Sequence, residues 1–187
     1  MILTLYEKFQ HWSEKGSVYI LSDTHFDDKD CKEIDSNWIS VKEQQEILRK
    51  TVTRNDTLIL LGDIGNKERL KEIWKNKPYI VIILGNHDAP GEFNSDDFFD
   101  EVYPGPLFVA EKILLSHEPI DFEFALNIHG HDHSGKMYEG NRINLAANVC
   151  NYTPMSLAKI IKSGVLKNIK SIHRQAIDRA IERKKNV

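Results

Sequence analysis

Cysteine is scarce: only Cys31 and Cys150 occur in 187 residues, far apart and in no Cys-x-x-Cys pair. That argues against a zinc knuckle or a disulfide framework and leaves free thiols in a reducing compartment as the simpler reading. Long apolar runs are missing as well. None approaches the roughly 20 residues needed to cross a bilayer, and the opening MILTLYEKFQHWSEKG has polar residues throughout, unlike a signal peptide's apolar core. A cytoplasmic protein with no membrane partner is expected. Internal repeats, low-complexity tracts and linkers rich in Pro, Gly or Ser are also lacking, so one domain over residues 1–187 is expected.

Net charge is small, at -3, but unevenly spread: the stretch from Met155 to Val187 holds nine Lys or Arg against two acidic residues. Its apolar Val165, Ile169, Ile172, Ala176 and Ala180 recur at helical spacing. A basic amphipathic helical segment from about 155, docked with its charged face in solvent, is favoured over a nucleic-acid grip.

Short runs rich in branched apolar residues read as buried strands at 18–21, 57–61, 79–84, 112–116, 125–129 and 142–146. An amphipathic opening segment around Leu5, Phe9 and Trp12 precedes them. Ser40 and Glu43 fit a capping box, and Asn66 can cap a helix carrying Leu70, Ile73 and Trp74. This alternation predicts a mixed α/β fold, parallel in its first half and antiparallel later, with long loops at 26–37 and 89–105.

Nearly every predicted strand is followed at once by potential metal ligands: Asp23 and His25, Asp63, Asn86 and His87, His117, then His131 and His133. Residues beyond the carboxyl ends of different strands can converge on one rim of a sheet. Asp23 and His25, like His131 and His133, are two apart and can face the same way in an extended segment. Gly62, Gly85 and Gly130 stand before Asp63, Asn86 and His131, where the chain must turn sharply and approach closely. The acidic run FDDKDCKEID lacks the EF-hand order and reads as a solvated, substrate-shaping loop, and NSDDFFDE as a surface segment anchored by Phe98 or Phe99. His129 has a structural role by strand alternation, and His11 and His173 lie outside every block. Asn148, Asn151 and Tyr152 read as turn residues first and as phosphate, sugar or base contacts second.

The blocks SDTH (22–25), GDIG (62–65), GNHD (85–88), SHEP (116–119) and GHDH (130–133), in that order, resemble the calcineurin-like metallophosphoesterase superfamily. The resemblance implies a four-layer α/β/β/α sandwich of two mixed sheets flanked by helices. It implies one divalent ion held by Asp23, His25, Asp63 and His133, a second held by Asp63, Asn86, His117 and His131, and Asp63 bridging them. Manganese is the first expectation, with Fe, Zn, Ni, Co or Mg as alternatives. Two ions about 3.5–4 Å apart would activate a bridging hydroxide for in-line attack, with His87 as general acid and Asp88 orienting it or holding the turn. The chain departs from the protein Ser/Thr phosphatases, reading GDIGNKER and GNHDAPGE where those enzymes carry phosphate-gripping arginines. A phosphodiesterase acting on a small phosphoester or nucleotide is therefore expected. The alternatives are a nuclease, supported only by the basic tail, and a non-catalytic metal-binding scaffold such as the superfamily member of the retromer coat, which the intact ligands and His87 disfavour.

Overall fold

The computed structural model describes residues 12, 14, 16–93, 98–170 and 172–185. The chain runs through β1 (Val18–Leu21), α1 (Cys31–Ile34), α2 (Val41–Thr51), β2 (Thr57–Leu60), α3 (Lys67–Lys71), β3 (Tyr79–Ile83), α4 (Pro90–Phe93) and β4 (Glu101–Tyr103). It continues through β5 (Leu107–Ala110), β6 (Ile113–Leu115), β7 (Leu126–His129), β8 (Tyr138–Glu139), β9 (Arg142–Asn144) and β10 (Met155–Ser156). It closes on α5 (Leu157–Lys162), a 3-10 turn (Val165–Asn168) and α6 (Ile172–Lys185).

Two five-stranded sheets result, ordered β10-β1-β2-β3-β4 and β5-β6-β7-β9-β8. Both are mixed: β1 to β4 pair in parallel with β10 antiparallel on β1, while β6, β7 and β9 pair in parallel between antiparallel β5 and β8. All four residues of β2 are buried, and four of the five in β3, as expected of central parallel strands covered on both faces. Residues of both sheets join one apolar core, from Ile20, Ile59 and Ile82 to Leu115, Ile128 and Ile143.

The helix starts follow their predicted caps. Ser40 accepts the Glu43 amide while the Glu43 carboxylate takes the Ser40 amide at 2.9 Å, and Asn66 accepts from the Glu68 amide at 3.1 Å. The helix after Asn66 stops at Lys71, shorter than predicted. Ile73 and Trp74 lie beyond it and still pack inward, with the Trp74 indole donating to the Val52 carbonyl at 3.0 Å.

The antiparallel expectation for the second half is corrected, because β6/β7 and β7/β9 are parallel. The connections at 116–125 and 130–141 are long enough to carry the chain back, and they deliver ligands rather than tight turns. The loop expected at 89–105 contains α4 and the edge strand β4, and the one at 26–37 contains α1. Strands β5, β8 and β10 were not foreseen, since short, half-exposed edge strands carry little apolar alternation.

The expectation of one C-terminal helix is also corrected, because α5, the 3-10 turn and α6 replace it. Gly164, at φ +83°, follows α5 and opens the 3-10 turn, and Ile169 at the end of that turn is buried; the side chains of Ile172, Ala176 and Ala180 lie outside the described residues, and Ile177 and Ile181 on α6 are exposed. Leu5, Phe9 and His11 lie outside the described residues. Trp12 is fully buried, its indole donating to Glu101 at 2.8 Å. No helix among the described residues is long and apolar enough to cross a membrane.

Candidate metal centre

Asp23 and His25 follow β1, Asp63 follows β2, Asn86 and His87 follow β3, His117 follows β6, and His131 and His133 follow β7. All these strands run parallel to a neighbour, so they deliver these residues at their carboxyl ends. A bridge between Ser22 and Ala146, with the Ser22 amide on the Leu145 carbonyl at 3.0 Å, stitches the two sheets together at that rim. Asp23, His25, Asp63 and His131 all sit in the left-handed region, at φ of 56°, 42°, 51° and 67°. For non-glycine residues such conformations cost roughly 1–3 kcal/mol each and persist where the surroundings enforce them. Here the Asp23 amide donates to the Gly62 carbonyl at 3.0 Å, His25 to Asp63 at 3.1 Å, and His131 to the Asp23 carboxylate at 2.8 Å. Gly85 and Gly130 are required for close approach: a Cβ on either would lie 2.1 Å from Asp63 Oδ1 or Asp23 Oδ2, respectively.

The side chains gather into two groups that could each hold a metal ion. One comprises Asp23, His25 and His133, the other Asp63, His117 and His131. In the first, Asp23 Oδ1 lies 3.8 Å from His25 Nε2 and 3.6 Å from His133 Nε2. Asp23 Oδ1 and His25 Nε2 are buried without a hydrogen-bond partner. Orphaned buried polar atoms of this kind are costly, and a shared cation would satisfy both. In the second group, His117 Nε2 lies 3.2 Å from Asp63 Oδ2, 2.8 Å from Asn86 Oδ1 and 3.1 Å from His131 Nδ1, and Asn86 Oδ1 is 3.0 Å from His131 Nδ1. Four lone-pair atoms converge there, a donor set of nitrogen and oxygen that fits a divalent transition metal.

The outer partners settle which ring nitrogen is free. His117 Nδ1 meets the Leu61 carbonyl at 2.8 Å, His133 Nδ1 meets Asn148 Oδ1 at 3.0 Å, and His25 Nδ1 meets Asp28 Oδ2 at 3.2 Å. With the proton on Nδ1, each ring turns Nε2 and its lone pair into the centre, the usual orientation of a metal-binding imidazole. Burial pushes the His117 pKa down, but the Asp63 bond and the charges of Asp23 and Asp63 outweigh it, so the net shift is upward. Burial likewise works against ionised Asp63, yet its bonds to His117 and the His87 amide hold its carboxyl below the usual range. Both directions express a site that favours positive charge.

His87 is exposed, its amide on Asp63 Oδ1 at 2.9 Å and its ring 5.9 Å from that of His25. Asp88 does not bond the His87 ring; its Oδ2 accepts the amides of Asp63 and Gly85, each at 2.8 Å, so it holds the turn. His129 is buried with its Nδ1 on the Gly130 carbonyl at 2.8 Å, and burial draws its pKa down.

Sequence reasoning missed Asp28, in the supposedly solvated acidic loop, and Trp38, whose ring stands 6.0 Å from His25 and 5.6 Å from His133. The three-residue spacing of Asp28 from His25 was the available signal. Asn148 orients His133, and Tyr152 is buried against Trp38 with its hydroxyl accepting the Ile39 amide at 3.4 Å. Phe99 is buried as expected, while residues 94–97 lie outside the described residues.

Residues 17–151 match the model of the calcineurin-like phosphoesterase superfamily domain. An uncharacterised protein of Methanocaldococcus jannaschii is 32% identical, the alignment covering 78% of this chain and 89% of that protein. The crystal structure of a protein of unknown function from Aquifex aeolicus superposes with a TM-score of 0.65 at 26% identity, covering 78% of this chain and 98% of its own.

Proposed function

Because the chain belongs to the calcineurin-like phosphoesterase superfamily, whose members are generally metal-dependent hydrolases, we propose that it is a dinuclear phosphodiesterase acting on small phosphodiesters or nucleotides. The observation that carries this reading is the convergence of two nitrogen and oxygen ligand groups, one with orphaned buried atoms, beside an exposed and otherwise uncommitted imidazole. Asp23, His25 and His133 would hold one divalent ion and Asn86, His117 and His131 the other, with Asp63 shared. Manganese is the first assignment, ahead of Fe, Zn, Ni, Co and Mg.

Bound divalent ions would lower the pKa of water and offset charge developing on the phosphoryl oxygens. The chain's own residues do the rest. Asp28, the Leu61 carbonyl and Asn148 fix the imidazoles, and Asp88 fixes the turn that carries Asn86 and His87. As the bond from water oxygen to phosphorus forms and that to the leaving oxygen breaks, His87 delivers a proton to the leaving oxygen.

A diester is favoured over a monoester because, among the described residues that line the cavities at the centre, no arginine is present to take a second phosphoryl charge. Arg69, the nearest in sequence to the Gly-Asp block, is committed to Asp27 at 2.7 Å and Glu72 at 3.2 Å.

A nuclease is the second reading, supported by the exposed Arg179, Arg183, Lys184 and Lys185 of α6. Turnover of bis-p-nitrophenyl phosphate, p-nitrophenyl phosphate and labelled DNA or RNA, with each metal added separately, tests the proposal. Metal-dependent cleavage of the small diester is expected, and cleavage of nucleic acid alone would favour the nuclease.

A further inference from the structure

Two cavities border the centre, one on each ligand group, and a third, of about 470 Å³, meets it only at His25. One, of about 350 Å³, is lined by His25 and His87 together with Asp28, Asn66 and Glu92. The other, of about 260 Å³, has Asn86 and His117 at one side and apolar walls from Leu84, Pro104, Pro106 and Ile120. Resting on the phosphodiesterase reading, we propose that this second cavity receives the ester arm that stays on phosphorus, and that the arm is an uncharged, largely apolar group about the size of one ring.

Geometry divides the two arms. The leaving oxygen must lie within reach of His87, which lines the 350 Å³ cavity; the 470 Å³ cavity meets only His25, on the same ligand group, so the arm retained on phosphorus takes the side of Asn86 and His117. Chemistry then defines that arm. Among the described lining residues there is no Lys or Arg, and the one charged group is the carboxylate of exposed Glu118, which would repel an anionic arm. The volume falls below the roughly 300–1,000 Å³ of pockets that enclose a whole ligand, which fits a single substituent.

The walls are also preformed. Two prolines with fixed φ flank Gly105 between β4 and β5. On the other side, buried Asn127 accepts the Ile120 amide at 2.8 Å and donates to Ser116 Oγ at 2.8 Å, pinning the loop that carries Ile120. Little ordering entropy is therefore lost when an apolar group enters.

The test keeps p-nitrophenolate as leaving group and varies the retained arm between methyl, benzyl and carboxyethyl, in wild type and Ile120→Asp. Isothermal titration of the manganese-loaded protein with methyl phosphate and benzyl phosphate runs alongside. Burial of a ring is expected to raise kcat/KM for the benzyl over the methyl diester by about tenfold. The carboxyethyl diester should fall below the methyl one, and Ile120→Asp should bring the benzyl to methyl ratio close to one. Equal rates for benzyl and methyl diesters in wild type, or a ratio unmoved by Ile120→Asp, would overturn the assignment while leaving the phosphodiesterase reading intact. Should no diester be hydrolysed, tighter binding of benzyl phosphate that is lost in Ile120→Asp would uphold the cavity and sink the hydrolytic reading; equal binding of both phosphates would sink the cavity.

Discussion

At the scale of single residues, the centre is a set of strained, closely packed ligands. Asp63 takes a left-handed backbone, gives Oδ1 to the His87 amide and keeps Oδ2 toward His117, with Gly85 against it. Asp63→Asn should therefore lose metal occupancy, read by elemental analysis of the purified protein. Gly85→Ala should do the same by displacing the carboxylate, since no Cβ can stand 2.1 Å from Oδ1. The His87 hydrogen bond to the centre comes from its backbone amide and its ring only stands edge-on to that of His25, so His87→Ala should keep its metal. Loss of the proton donor should lower kcat on a poor leaving group by roughly 10²–10⁴-fold. Full activity in folded, metal-loaded His87→Ala would remove it from the mechanism.

The two thiols give an independent check on burial. It pushes Cys31 up to about 11 and Cys150 up to about 12, so both are neutral and unreactive at neutral pH. Native protein should show almost no fast reaction with a disulfide reagent at pH 8, and denatured protein two thiols. Two fast thiols in the native state would contradict the packing around both.

At the scale of elements, the capping box at Ser40 starts the α2 helix, which buries Gln44 and places Leu48 in the apolar core. Ser40→Ala should cost about 1 kcal/mol, visible as a lower urea midpoint at unchanged slope. That box was legible because its residue types and spacing are local. The central strands were legible for a similar reason, since VYIL, TLIL and YIVII are apolar without interruption. The edge strands β4, β5, β8 and β10 were not: all are only two to four residues long, and β10 is set by partners distant in sequence, as Met155 and Ser156 meet Ile20 and Tyr19. The end of the 3-10 turn at Ile169 likewise interrupts a pattern, Val165 to Ala180, that reads as one helix.

At the scale of the whole molecule, ligands from both sheets meet because Ser22 and Ala146 join the two rims. The identity of the ligands was legible, since Asp, Asn and His stand immediately after apolar runs and glycines. Their outer supports were only partly so. Asp28 and Asn148 reach the centre from an acidic loop and from the turn after β9; the three-residue spacing marks Asp28, whereas nothing in the second segment marks the ring that Asn148 orients.

The most direct measurement is a titration of manganese into metal-stripped protein, following bound metal and bis-p-nitrophenyl phosphate hydrolysis in the same samples. The account expects two ions per chain, with activity appearing as the second site fills and falling to background again on chelation. Full activity with one ion or none, or two bound ions with no hydrolysis of any phosphodiester, would contradict it.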